Sequence, residues 1–506
     1  MLATVMSATP VGLDGLPVSV EVDVGPGLPS FSIVGLPDAA VQEARERVRS
    51  AIRNSGFDLP PRRMVVNLAP GDRRKVGPAF DLPMALALLV ATGQLDRSRV
   101  AGYLALGELA LDGSLRSVPG AIVAAQAARA LGGRGLLVPA GNAQEAAIIE
   151  EVSVYAVGTL RAAVEHLAGR HPIASVSAAS VPPPEPPPSP DLADVRGQRA
   201  ARRALEIAAA GGLNLLLVGP PGVGKTMLAR RFATLLPRLS RAEAVEVTKI
   251  YSVAGQLPEG SGLIWQRPFR APHHTATTSA IIGGAGLRPG EITLAHRGVL
   301  FLDELSEFRH DTLEALRQPL EDGNVVIARS AGAVRYPALF ALVAAMNPCP
   351  CGYRGDPRRE CLCTPSQVQR YLARLSGPLL DRIDLHVEVP RPPTGDVLEG
   401  PPGEPSGLVR ARVADARARA AARLAAQAAR GDAAGRTMDL RWADRQAMAF
   451  LSAAADRLLL GVRATERVLH IARTIADLEG ADRVQSHHIA EALHYRVLDR
   501  HGGTAT

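Results

Sequence analysis

The sequence predicts an α/β protein of several domains, with a parallel-sheet core between an α+β domain before it and a helical domain after it. Three observations predict this. The chain has 506 residues, well beyond the roughly 100 to 200 of a usual domain. From Asp191 to about Pro393, apolar strand-like runs, loops and helical stretches alternate, as in strands joined by crossover helices. Beyond Pro392, Pro393, Pro401, Pro402 and Pro405, the composition turns to Ala/Arg-rich helix from Leu408 to Arg430, with more helices to the end.

The first domain starts with Val18-Ser19-Val20-Glu21-Val22-Asp23-Val24, whose alternation is that of a half-buried strand. Val41, Ala44, Val48 and Ile52 then fall on one helical face. Strand-like Met64 to Leu68, Gly135 to Val138 and Val152 to Val157 are interleaved with helical Leu82 to Ala91, Ala121 to Leu131 and Leu160 to Ala168. The expected organisation is an α+β domain over 1–172, a linker over 173–190, a core over 191–395 and a helical lid over 396–506. The linker contains Pro182-Pro183-Pro184-Glu185-Pro186-Pro187-Pro188-Ser189-Pro190, a run that favours a semi-rigid polyproline spacer.

The length excludes a peptide hormone or a disulfide miniprotein. No apolar run approaches the roughly 18 to 20 residues that a membrane span needs, and the start, Met-Leu-Ala-Thr-Val, has no basic segment leading into a long apolar one. A cytoplasmic protein without a membrane partner is expected. The net charge of +7 points to a polyanion. Only three of the 57 basic residues are lysines, Lys75, Lys225 and Lys249, so the arginine excess reads as codon bias. The sharper question is what chemistry kept each lysine.

Gly219-Pro220-Pro221-Gly222-Val223-Gly224-Lys225-Thr226 fits G-x-x-x-x-G-K-[ST] between apolar Leu215 to Val218 and helical Met227 to Leu236. In that context the loop's backbone N–H groups wrap the phosphates of ATP, Lys225 reaches the β/γ-phosphates and the Thr226 hydroxyl holds Mg²⁺. About 80 residues on, Val299-Leu300-Phe301-Leu302-Asp303-Glu304 is a buried-strand run ending in two carboxylates. Asp303 is placed to hold the Mg²⁺ shell and Glu304 to polarise the attacking water. A third apolar run, Phe340 to Ala345, ends at Met346-Asn347-Pro348, where Asn347 can orient water and sense the γ-phosphate. Arg382, in Leu379-Leu380-Asp381-Arg382-Ile383-Asp384, stands where ring-forming ATPases supply an arginine finger; the alternative is a surface ion pair with Asp381 or Asp384. Arg463 is a second candidate, as a sensor on the lid.

The four cysteines form two C-x-C pairs, Cys349 with Cys351 and Cys361 with Cys363, nine residues apart. Four thiolates around Zn²⁺ are one reading, and free or redox-active thiols the other. His273 and His274 lie in Phe269-Arg270-Ala271-Pro272-His273-His274-Thr275. On extended backbone they point to opposite faces, so they are poor joint metal ligands and read as a polar contact loop. Val325 to Tyr336 reads as a hairpin flanked by Arg329 and Arg335, either an ordinary one or a projection that grips DNA phosphates.

With these residues assembled, nearly the whole chain resembles the YifB/ComM family of magnesium-chelatase-like AAA+ ATPases. The marks outside the P-loop include Gly35-Leu36-Pro37-Asp38, Asn67-Leu68-Ala69-Pro70, Phe80-Asp81-Leu82-Pro83, Arg270-Ala271-Pro272-His273-His274 and Pro289-Gly290-Glu291-Ile292. They continue through Ala295-His296-Arg297-Gly298 into Asp303-Glu304, then Met346-Asn347-Pro348-Cys349-Pro350-Cys351-Gly352, Ser376-Gly377-Pro378-Leu379-Leu380-Asp381-Arg382 and Ala472-Arg473-Thr474-Ile475-Ala476-Asp477-Leu478. Gly283-Gly284-Ala285-Gly286 departs from the family's uninterrupted glycine run. The resemblance implies an AAA+ core, a Lon-protease-like, S5-type N-terminal domain and a helical lid. Gly77-Pro78-Ala79-Phe80, which looks like the segment of the Lon serine, has none, and Gly120-Ala121-Ile122 lacks the lysine. A Ser-Lys mechanism needs both groups, so the expected role is oligomerisation or DNA engagement. The resemblance further implies a homo-oligomeric, hexameric ring hydrolysing ATP to drive DNA branch migration during natural transformation, with Arg382 acting in trans. The competing reading is a chaperone-like, magnesium-chelatase-type ATPase that remodels a protein partner.

Overall fold

A computed structural model describes residues 1–177, 190–329, 332–429 and 442–496. Most of the proline run, the hairpin tip at Ser330 and Ala331, and Arg430 lie outside the described residues. The first sheet begins with a long antiparallel hairpin, β1 (Leu2–Val11) with β2 (Asp14–Gly25). β3 (Ser30–Val34) is the edge strand, parallel to β4 (Arg63–Ala69), which pairs antiparallel with β2. β5 (Tyr103–Ala105) continues the sheet beyond β1, while β6 (Glu108–Leu109) and β7 (Leu115–Arg116) form a separate small hairpin. With β8 (Gly135–Pro139), β9 (Val154–Val157) and β10 (Ser175–Val176), eight strands run in the order β10-β9-β8-β5-β1-β2-β4-β3. β9 starts two residues later than the apolar run suggested, because Glu151 takes a left-handed φ of 71° and turns the chain before the ladder can form.

Helix Ala39–Asn54 shows why local sequence suffices there. Asp38 caps it by accepting from the Val41 N–H, and Val41, Ala44, Val48 and Ile52 are all buried against the sheet.

The second sheet is entirely parallel. Its strands are β11 (Leu215–Val218), β12 (Phe269–Arg270), β13 (Val299–Leu302), β16 (Ala341–Met346) and β17 (Leu385–Glu388), in the order β12-β13-β16-β11-β17. Between β13 and β16 the chain makes the antiparallel hairpin of β14 (Asn324–Arg329) and β15 (Gly332–Pro337). β11 and β13 are continuous apolar runs because helices cover both faces of a parallel sheet, leaving no wet side for polar residues. The helices Ser406–Ala429 and Val462–Glu479 share one hydrophobic core with the helices Arg199–Gly211 and Lys225–Leu235. Among the described residues, no helix is long and apolar enough to cross a membrane.

The two sheets are tied together by specific contacts. Lys249 donates to Gln126 Oε1 at 2.8 Å, and the Gly120 N–H donates to Ser252 Oγ at 3.1 Å. Val11 and Leu13, beside the β1–β2 turn, pack on the cluster that holds Ile327 and Val334 of the β14–β15 hairpin. Lys249, one of the three lysines, thus serves a contact between domains.

Candidate active site

Strand order decides what meets at the carboxyl edge of the parallel sheet, where ligands of open α/β sheets bind. β16 lies between β11 and β13, with Val218 paired to Met346 and Leu302 to Ala344. The residues that follow these strands therefore converge: the P-loop after β11, Asn347 after β16 and Asp303 after β13.

The P-loop joins β11 to helix Lys225–Leu235. Gly222 and Gly224 have φ of 77° and 90°, left-handed values that a β-carbon disfavours. A β-carbon on Gly219 would lie 2.3 Å from the Val389 carbonyl oxygen. Lys225 Nζ donates to the carbonyls of Gly219 at 2.6 Å and Pro220 at 3.0 Å, and to Asn347 Oδ1 at 3.0 Å. Burial lowers its pKa, partly offset by the nearby charges of Asp303 and Glu304. The Thr226 hydroxyl donates to Asp303 Oδ2 at 2.6 Å, and Asp303 Oδ1 accepts the Glu304 N–H at 2.9 Å. A hydroxyl and a carboxylate oxygen side by side make a hard-oxygen pair suited to Mg²⁺.

Glu304 sits at a left-handed φ of 53° with its side chain 57% exposed. His274 Nδ1 is 3.1 Å from its Oε2. The two histidines do not point to opposite faces as extended backbone would have them: the Ala276 N–H donates to the His273 carbonyl at 2.9 Å and closes a turn, so their rings lie 4.1 Å apart, with His273 Nδ1 2.9 Å from Thr275 Oγ1. His274 is thus a neighbour of the carboxylate rather than a free contact group. No spacing in the sequence relates it to Glu304; only the β12–β13 pairing brings the two strand ends together.

Arg382 pairs with Glu321 and donates to the Pro378 carbonyl at 2.7 Å. Of the two acids weighed as its partners, Asp384 instead meets Arg467 at 3.2 Å and accepts the Asn214 N–H at 2.8 Å. Asn214 went unnoticed in the sequence. Its side chain bridges the Arg382 carbonyl and the Leu342 N–H, both at 2.9 Å, and so joins the arginine's segment to the start of β16. Arg463 is exposed in the first turn of helix Val462–Glu479, and Arg467, one turn on, is the side chain that reaches the core. Gln198 is another residue that the sequence did not signal; its Nε2 donates to the Val223 carbonyl at 2.7 Å and braces the P-loop.

The four cysteines come together beside this edge. The Sγ of Cys349 lies 3.4 Å from that of Cys351 and 3.6 Å from that of Cys361, and all four sulfurs are within 4.8 Å of one another. Tetrahedral thiolates around Zn²⁺ lie about 3.8 Å apart, given Zn–S bonds of about 2.3 Å, so the donor set fits that ion. The backbone N–H of Tyr353 and the adjoining thiols bring Cys351 down to about 6, while burial and the neighbouring thiols push Cys361 and Cys363 up. Arg329 and Arg335 are exposed on the β14–β15 hairpin.

Three family models match the chain: "Magnesium chelatase, subunit ChlI" over residues 191–397, "Subunit ChlI of Mg-chelatase" over 20–142 and "Magnesium chelatase, subunit ChlI C-terminal" over 403–496. The chain is 45% identical to "Uncharacterized protein YifB" of Salmonella typhimurium, covering 99% of this chain and 98% of that one. It is 44% identical to "Competence protein ComM" of Haemophilus influenzae over the same shares. A more distant relative, the "Magnesium-chelatase 38 kDa subunit" of Rhodobacter capsulatus, is 26% identical over 39% of this chain and 55% of its own length.

Proposed function

The chain belongs to the YifB/ComM family of magnesium-chelatase-like AAA+ proteins, a family that implies ATPase activity, and from that premise we propose that it is a ring-forming motor that hydrolyses ATP to drive branch migration of DNA. One observation carries the ATPase part: Lys225, Thr226, Asp303, Glu304 and Asn347 meet at the carboxyl edge of one parallel sheet, with Thr226 bonded to Asp303 and Lys225 to Asn347. The DNA part is supported by the near-full-length likeness to a protein named for competence and by the exposed arginines of the hairpin.

In this reading the backbone N–H groups of Gly219 to Thr226 wrap the triphosphate, and Lys225 exchanges its carbonyl partners for phosphate oxygens. Thr226 and Asp303 would hold Mg²⁺, which when bound would offset the negative charge of the phosphates. Glu304 takes the proton of the attacking water, and Asn347 reports whether the γ-phosphate is present. Arg382 leaves Glu321 to reach the nucleotide of the neighbouring subunit in a hexameric ring, and Arg463 senses it from the lid. Arg329 and Arg335 grip DNA phosphates, and His273 and His274 form a further polar contact with DNA. Cys349, Cys351, Cys361 and Cys363 would hold a structural Zn²⁺. The N-terminal domain is Lon-like without a Ser-Lys dyad and supports assembly or DNA engagement.

ATPase turnover measured with and without single-stranded and branched DNA at low salt tests the substrate. Stimulation by DNA is expected, and a chain that neither binds nor responds to DNA overturns the motor-on-DNA reading. The likeness to a magnesium-chelatase subunit favours, as second reading, remodelling of a protein partner. Mixing Arg382→Ala with Glu304→Gln subunits tests the finger: partial recovery of turnover is expected if the two act across an interface, and no recovery contradicts it.

A further inference from the structure

Gly352 sets the cysteine cluster against the P-loop. Gly352 follows Cys351 directly, has φ of 85°, and its N–H closes a turn onto the Cys349 carbonyl at 2.9 Å. A β-carbon placed on it would lie 2.9 Å from Pro221 Cδ and 3.7 Å from Asn347 Cγ. Pro221 of the phosphate-wrapping loop and Asn347 therefore both lie against the face of Gly352 that a side chain would fill. Asn347, two residues before Cys349, in turn holds Lys225 Nζ at 3.0 Å, and the Met346 carbonyl accepts the Gly219 N–H at 3.2 Å.

The cysteine loop is anchored at its middle by a separate contact. Asp356 has a fully buried carboxylate that pairs with Arg391 at 3.1 Å, just beyond β17. Its two ends depend on the thiols. Cys349 is fully buried, and Cys351 and Cys361 Sγ lie 3.6 Å apart. With all four sulfurs within 4.8 Å of one another, the ends converge at the spacing that one tetrahedral ion would bridge.

We propose that Cys349, Cys351, Cys361 and Cys363 hold a Zn²⁺ that acts as a staple for the nucleotide mouth, keeping Gly352 against Pro221 and Asn347 on Lys225, so that affinity for ATP depends on the metal. The proposal rests on the ATPase reading above and adds that a metal outside the phosphate site controls it. Cys349, Cys351, Cys361 and Cys363 touch no phosphate and are positioning residues. Removing the ion frees the Cys349–Gly352 turn, and with it the two contacts that pre-organise Pro221 and Lys225 for a nucleotide.

The test uses the full chain as purified under reducing conditions. Metal analysis is expected to find about one zinc per chain. Chelation should weaken binding of a fluorescent ATP analogue by about 10-fold or more, with helical content unchanged by circular dichroism, and added Zn²⁺ should restore it. Gly352→Ala is the second arm, since it keeps all four thiols. It should retain its zinc and yet bind the analogue more weakly, because the new methyl displaces Pro221. A zinc-free chain that binds the analogue normally overturns the proposal. So does a zinc-loaded chain whose affinity is indifferent both to chelation and to Gly352→Ala; in both cases the ATPase reading survives. A zinc-loaded chain that binds no nucleotide instead overturns the ATPase reading.

Discussion

Lys225, at the helix that follows β11, and Lys75, in the loop that follows β4, are both pushed below the ordinary lysine range, and by the same cause, loss of water around the ammonium. Their surroundings differ. Lys75 is 0% exposed and its Nζ donates to the Pro70 carbonyl, while its backbone N–H and C=O join Leu36 and Asp38. It closes the loop between β4 and the Gly77 turn, and nothing outside the chain can reach it. Lys225 is only half-buried, on the rim of the carboxyl edge, and holds three oxygens that phosphates can replace. A perturbed pKa therefore does not separate a chemical lysine from a structural one; exchangeable partners at an open edge do.

The sharpest break in that comparison is Lys225→Ala, which should abolish measurable ATP binding and turnover while the chain keeps its thermal stability. An ATP-binding titration beside a melting curve checks both halves. Glu304→Gln should bind ATP but lower turnover by about 100-fold or more, the usual contribution of a general base, as single-turnover kinetics would show. Lys75→Ala inverts the pattern. Truncating a buried side chain and stranding the Pro70 carbonyl should cost about 2 to 4 kcal/mol, with unchanged affinity for ATP. A weakened ATP affinity there would mean that the two lysines are not as separate as their surroundings suggest.

His386 sharpens the comparison within the ATPase sheet itself. On β17 its side chain is buried beside Arg496, and burial, reinforced by that arginine's charge, lowers its pKa to about 3. In the unfolded chain it takes a proton near pH 6.5. As pH falls below that value, the unfolded state gains protons that the folded state does not, so stability is lost between about pH 6.5 and 3. Between pH 8 and pH 5 the loss is about 2 kcal/mol. His386→Leu should flatten the melting temperature of the ATPase domain over this window relative to the parent chain. The smallest effect is expected at His274. Releasing Glu304 from the partly exposed imidazole 3.1 Å away, a contact worth no more than about 1 kcal/mol, should raise basal turnover by up to about fivefold in His274→Ala. A fall in basal turnover would show instead that the imidazole supports the base.

Much of the architecture was legible from short-range pattern. The alternation of Val18 to Val24, the single face of Val41 to Ile52 and the Gly-rich loop before Lys225 each encode their geometry within a few residues, because side-chain period and left-handed glycines are local properties. The hairpin around Arg329 and Arg335 was legible for the same reason, from two alternating runs with small residues between them. The partner of Arg382 was not: Glu321 lies 61 positions away, and nearby acids at 381 and 384 are more conspicuous in the sequence. Nor was the pairing of Arg467 with Asp384, since 83 positions separate the two and only the packing of helix Val462–Glu479 on the core brings them together.

By itself, the sequence determined the chemistry available: an ammonium and a hydroxyl after one glycine-rich loop, two carboxylates ending an apolar strand, an amide ending another, and four thiols in one segment. Only the tertiary structure decided which of these meet. The order β13-β16-β11 interleaves strands distant in the chain, and so bonds Thr226 to Asp303 and Lys225 to Asn347. The end of β12 lies beside the end of β13, which sets His274 on Glu304. The thiols gather within reach of one ion, and Gly352 is left against the P-loop. Strand order is chosen by long-range packing of whole apolar faces, and no local pattern records it.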